Sequence, residues 1–155
     1  MTGARGFLAA HRWGVSWALV ALWAVVIFLM SANTGDDLTS GDGLVAQVRA
    51  LLMAVQVEWL GIAEGIDLVS PLAHFCEYAL FGFLIQNALS CTLPARRAAL
   101  LAVVIASAYG VTDELHQLFV PGRACDPVDW LVDTAGATLG ALIAWRPLRR
   151  IQSRG

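Results

Sequence analysis

The stretch 98–145, AALLAVVIASAYGVTDELHQLFVPGRACDPVDWLVDTAGATLGALIAW, decides the fold. Two runs that are almost pure Ala, Val, Leu, Ile and Gly, Ala98–Gly110 and Leu131–Trp145, flank a polar centre. That centre holds Asp113, Glu114, His116, Gln117, Arg123, Asp126, Asp129 and Asp133 around a Pro121-Gly122 turn. Ionisable groups at the edge of hydrocarbon are costly, and they persist where they pair with one another or perform chemistry. The polar centre is therefore the candidate site, and the apolar flanks ask to be read as membrane spans.

Composition agrees. The 155-residue chain is 58% hydrophobic with mean hydropathy +0.67. Soluble domains carry about 25% charged residues, whereas this chain has 14%, too few to cover a soluble globule of its size. No composition shift, internal repeat or low-complexity tract divides it, so residues 1–155 read as one all-α membrane domain.

Four spans can be placed, at about 13–30, 72–89, 98–118 and 127–145, forming a small bundle. The first is a run of 18 residues diluted only by Gly14 and Ser16, close to the ~20 needed to cross a bilayer. No small-residue cleavage site with a soluble domain behind it follows, so it reads as a retained helix and not a signal peptide. With four spans, Arg5, Arg12, Arg96, Arg97, Arg146, Arg149, Arg150 and Arg154 share one side, which carries no acid. All twelve Asp and Glu residues fall on the other, with only Arg49 and Arg123. The positive-inside rule then predicts a multi-pass cell-membrane protein with both termini cytoplasmic and the polar centre outside. Trp13 and Trp145 are expected at the inner interface and Trp130 at the outer one.

Residues 31–70 form a long outer segment. After turn formers at Asn33–Asp37, Gly41 and Gly43, the residues Leu44, Val48, Leu51, Val55, Trp59, Ile62 and Ile66 recur at helical spacing. Glu58, Glu64 and the glycines break the run, which favours an amphipathic helix in the outer interface over a fifth span. It could pack as a lid or act as a gate over the polar centre.

The second span adds partners at the same depth. His74 and Glu77 stand at i, i+3, with Tyr78 one turn from His74, on one helix face. Asp113 and His116 are likewise i, i+3, Asp113 and Gln117 i, i+4, and Asp126, Asp129 and Asp133 share a face of the fourth helix. Turning these groups toward lipid would strand carboxylates and imidazoles without partners, so convergence is expected.

The pattern His74-Phe75-x-Glu77-Tyr78, then Asp113-Glu114-x-His116-Gln117-x-Phe119-x-Pro121-Gly122-Arg123, then Asp129-x-x-x-Asp133-x-x-Gly136 resembles the VanZ-like family of bacterial membrane proteins. The likeness covers about residues 70–141. It implies a four-span membrane protein and a link to teicoplanin (glycopeptide antibiotic) resistance, without specifying a reaction. Relatives often carry a basic residue three positions before the histidine, where this chain has Pro71.

From the residues themselves, two readings stand. In the first, an outward site acts on a lipid-linked or cell-wall headgroup in the bilayer, with His74, Glu77, Asp113, Glu114 and His116 as acid/base candidates, His116 foremost. Tyr78, Gln117, Arg123, Asp126, Asp129 and Asp133 would contact substrate, Arg123 holding a phosphate or carboxylate. A metal-assisted variant is suggested by His-x-x-Glu and Asp-x-x-His on facing helices, but no Cys or His triad fixes a metal type. No metal ligand is assigned and the cofactor stays unknown. In the second reading the module is non-catalytic and binds an envelope component or antibiotic, while the polar cluster holds the helices together. Interhelical polar contacts contribute only about 0.6–2 kcal/mol each, and the surplus of ionisable groups favours a site.

Smaller features read more plainly. Cys76 and Cys125 lie on one side of the membrane and read as small packing residues, with a disulfide as the alternative. Gly136 and Gly140 suggest close helix packing within the bundle. The C-terminal arginines suit anionic lipid and not nucleic acid.

Overall fold

The structure, a computed structural model, describes residues 2–39, 43–63 and 65–152, and side chains within 11–38, 43–63 and 65–145. The turn former Gly41, the run-breaking Glu64, the C-terminal Arg154, and the side chains of Arg5, Arg146, Arg149 and Arg150 lie outside the described residues. Among the described residues there are six helices and no strand: α1 (Thr2–Ser31), α2 (Gly35–Thr39), α3 (Leu44–Leu60), α4 (Val69–Leu89), α5 (Ala95–Gln117) and α6 (Pro127–Gln152).

Two of these are long and apolar enough to cross a membrane, His11–Ser31 and Ala95–Gln117. The α4 sequence is diluted by His74, Glu77, Gln86 and Asn87, and α6 by its early acids, which is why neither stands beside them on composition.

The packing is inside-out relative to a soluble bundle. Large apolar side chains face outward on all four long helices, including Leu22 and Leu29 on α1, Leu72 on α4, Leu100 and Val104 on α5 and Leu131 on α6. The interior is lined by Ala98, Ala102, Ala106, Ala137, Ala141 and Ala144, together with Tyr78, Phe81 and Ile85. Small residues inside and large ones outside are what close helix approach in hydrocarbon requires, because lipid tails already satisfy a leucine. The chain is a membrane protein by this packing and by its two apolar helices.

The α4–α6 seam shows the consequence. A Cβ added at Gly136 or Gly140 would run into the α4 backbone at Phe75 and Ala79, and one at Gly82 into Ala137. Backbones that touch leave room for few side chains but fix the helices in depth. Polar anchors join the rest: Trp23 Nε1 donates to the Glu77 carbonyl at 2.9 Å, Tyr109 OH to the Ala24 carbonyl at 2.7 Å, and Trp130 Nε1 to the Ser107 carbonyl at 3.1 Å. Trp130 is thus tied to α5.

The α3 helix stops at Gly61, whose φ of 65° lies in the left-handed region that glycine adopts without strain. Ile62 and Ile66, expected on its apolar stripe, therefore fall beyond it. Leu44, Val48, Leu51, Val55 and Trp59 are exposed, while Ala46 and Gln56 are buried. Gln56 clamps the following strap, donating to the Ile66 carbonyl and accepting from Leu68 N–H at 3.0 Å. Cys76, Cys91 and Cys125 are all free, and Cys76 and Cys125 are exposed, which corrects their reading as packing residues.

Candidate functional site

The helix seam places the site. Asp133 lies one turn before Gly136, and Gly136 abuts the Phe75 carbonyl, so Asp133 is delivered onto the residue preceding Phe75. His74 Nδ1 and Asp133 Oδ1 are 3.1 Å apart, the His74 side chain being 11% exposed and that of Asp133 fully buried. Gly110 does the same for α5: a Cβ there would lie 3.4 Å from Asp133 Oδ2 and 3.5 Å from Tyr78 Cε1. One turn further on, Asp113 and Glu114 enter the same space, both buried. Donor atoms of His74, Asp113, Glu114 and Asp133 all lie within 4.8 Å of one another. Three carboxylates and one imidazole could hold a divalent cation in that volume.

The burial of these carboxyls is electrostatically costly. Taking an ion out of water costs several kcal/mol even after relaxation, against about 0.6–2 kcal/mol returned per interhelical contact. Glu114 Oε1, Asp133 Oδ2 and Tyr78 OH are enclosed with no hydrogen-bond partner among the described residues. Helix association is already served by the glycine seam.

A cavity of about 290 Å³ opens onto this group. Its walls are largely apolar, with Met30, Leu38, Val48 and Leu52 among them, while His74, Glu77, Asp113 and Arg123 also line it. Arg123 is carried by the turn after α5, where Gly122 has φ 71° and the Pro121 carbonyl accepts Gly35 N–H at 3.1 Å. The start of α2 thereby holds the arginine loop in place.

Not every predicted residue joins. His116 packs its ring 4.6 Å from that of Phe28 on α1, and lies outside the four-residue group. Gln117 is buried beside it. Asp126 is exposed and Asp129 half-buried, and neither belongs to the four-residue group. Asp126 serves the backbone: its N–H donates to Glu114 Oε2 at 2.7 Å, and its Oδ1 accepts Val128 N–H at 2.8 Å as a cap on α6.

Arg49, Asp67 and Ser70 were not expected at the site. Arg49 donates to Asp67 Oδ2 at 2.7 Å and to Ser70 Oγ at 2.6 Å, joining α3 to the start of α4 at the cavity rim. Burial works against the Asp67 charge, but the hydrogen bond from Arg49, then those from Ser70, outweigh it and hold the carboxyl below its ordinary pKa. The only sequence signal was that Arg49 is one of two cations among the acids.

Among known proteins, no curated protein and no solved structure matches the chain. The profile of the family described as VanZ/LLP1 matches residues 16–150, which takes in the cavity, the arginine loop and all four helices of the bundle. The chain belongs to the VanZ/LLP1 family.

Proposed function

We propose that the chain crosses the bilayer four times, with both termini in the cytoplasm, and that its acidic end binds and acts on the anionic headgroup of an envelope lipid. The observation that carries this is the cavity: apolar along Met30, Leu38, Val48 and Leu52, and charged where it reaches His74, Glu77 and Arg123. A hydrocarbon chain suits the first part and a headgroup the second. Small-molecule sites are commonly built this way, apolar walls with a few placed polar groups. The outward apolar faces of α4 and α6 support their spanning, and the arginine asymmetry supports the orientation.

In this reading Arg123 holds a phosphate or carboxylate oxygen. His74, oriented through Nδ1 by Asp133, and the half-buried Glu77 on the same face of α4 act as base and acid on the headgroup. The family's link to teicoplanin resistance fits a protein that alters an envelope component. The non-catalytic reading is favoured by one observation, the Glu114–Asp126 bond that ties the α5–α6 loop down.

The test is retention and turnover of a polyprenyl pyrophosphate by the purified protein in nanodiscs. Arg123→Ala and the cavity-filling Leu52→Trp should each weaken lipid retention roughly tenfold, the scale of a lost charged hydrogen bond. His74→Gln and Glu77→Gln should each abolish phosphate release, with retention persisting in Glu77→Gln. Equal retention by wild type, Arg123→Ala and Leu52→Trp would refute the reading. Retention without release in the wild type leaves the binding module alone.

A further inference from the structure

The cavity wall carries Glu77 and Asp113 beside His74, Arg49 and Arg123, and Arg49 is already paired with Asp67, while the buried Glu114 and Asp133 stand behind His74 and Asp113. With Arg49 committed to Asp67, the four carboxylates gathered at and behind the wall outnumber Arg123 and His74, so the reading above gains from further positive charge where His74 and Asp113 meet the cavity. We propose that His74, Asp113, Glu114 and Asp133 form a binding site for a divalent first-row cation of the Mn²⁺ or Zn²⁺ class.

Two independent observations carry it. The first is convergence: four side chains from α4, α5 and α6 offer donor atoms within 4.8 Å of one another, a spread that a single ion can bridge. The second is want of partners. Glu114 and Asp133 are 3% and 0% exposed, and Glu114 Oε1 and Asp133 Oδ2 have no hydrogen bond among the described residues. Buried carboxylate oxygens are ordinarily paired or coordinate metals.

The donor set selects the ion. Three carboxylates suit Mg²⁺, Ca²⁺ and Mn²⁺, and an imidazole adds preference for transition ions over the alkaline earths. Carboxylates and histidines projecting inward from facing helices are how metal sites are built in bundle cores. The glycine seam and Gly110 hold the helices close enough for the short aspartates to reach. The assignment rests on the headgroup reading and sharpens it. The cation supplies the charge that binds the headgroup oxygens as a Lewis acid, His74 is a ligand while the ion is bound, and Glu77 remains as the proton carrier.

The experiment uses the full chain, stripped with EDTA in micelles without added lipid, and titrated with Mn²⁺ while the electron paramagnetic resonance signal of free Mn²⁺ is followed. The wild type should withdraw one Mn²⁺ per chain, and Zn²⁺ should compete. Glu114→Gln and Asp133→Asn should each weaken binding roughly tenfold or more, while Asp37→Asn, which removes an exposed acid near the α1–α2 turn, should leave it unchanged. Where a variant does not accumulate, wild-type Tm decides: it should rise with Mn²⁺ concentration. A well-folded wild type whose Mn²⁺ signal and Tm are indifferent to the ion, or binding that survives both substitutions, overturns the site. Mg²⁺ displacing Mn²⁺ at equal concentration overturns the part assigned to His74. Lipid is absent throughout, so failure here leaves lipid retention to be judged separately, and failed lipid retention leaves this titration intact.

Discussion

His74 and Asp133, 59 residues apart in the chain, meet at 3.1 Å between Nδ1 and Oδ1 where α4 crosses α6. Removing one partner leaves the other buried without compensation. His74→Ala should therefore lower stability by about 3 kcal/mol or more, read as unfolding in mixed micelles. The pair His74→Leu with Asp133→Leu should regain most of that loss while lipid turnover stays absent. Recovery of stability without recovery of function separates a site from a strut. Should the double variant be as unstable as the sum of the singles, the two residues are not coupled.

Gly140 carries a second expectation. A side chain there would meet the Ala79 carbonyl and force α4 from α6. Gly140→Leu should cost roughly 3 kcal/mol or more, at or beyond the upper range of overpacking, and should also dissolve the His74–Asp133 contact two turns away. Gly14→Leu is the counterpart: nothing lies within 4 Å of a Cβ at Gly14, and relief of glycine's low helix propensity should leave stability equal or up to about 1 kcal/mol higher. Protein level and melting temperature of the two variants check this directly.

The bundle was legible because its signals are one-dimensional. Apolar runs, Gly136 and Gly140, and the helical spacings of His74, Glu77, Asp113 and Asp133 all survive translation into three dimensions. What sequence could not assign was facing. His116 stands three residues from Asp113 and was the foremost acid/base candidate, yet α5 turns its ring onto Phe28 while Glu114, beside Asp113, enters the group of four. Asp126 and Asp129 share a periodicity with Asp133, but only Asp133 lies deep enough along α6 to be covered by α4 and α5. The Arg49–Asp67 tie was hidden because its partners lie 18 residues apart across the Gly61 stop.

That tie predicts a pH dependence. The folded state holds Asp67 below its ordinary pKa, since Arg49 and Ser70 favour the carboxylate more than burial opposes it. A depressed carboxyl adds stability above its unfolded pKa, and the contribution is lost as pH falls through the folded value. The strap between α3 and α4 should thus be indifferent to pH between about 7 and 5 and loosen below about 4, under the usual aspartate pKa. Amide hydrogen exchange across residues 60–70 measures it. Arg49→Ala and Asp67→Asn should show fast exchange already at neutral pH, with no further acid step. An acid step that persists in both variants belongs to another group.

The natural cysteines test the orientation. Cys125 is exposed in the α5–α6 loop at the acidic end, and Cys91 is half-buried between α4 and α5 at the opposite end. Eight of the ten arginines lie on the side of Cys91 in the four-span reading, and every acid on the side of Cys125. Arginine-rich short loops stay in the cytoplasm. With Cys76 replaced by Ser, a membrane-impermeant maleimide applied to intact cells should label the protein, and Cys125→Ser should abolish that labelling. Cys91 should react only after the membrane is opened. Labelling of Cys91 in intact cells, with Cys125 protected, would invert the bundle. The cavity, Arg123 and the proposed cation would then face the cytoplasm, and an envelope lipid in the outer leaflet could not reach them.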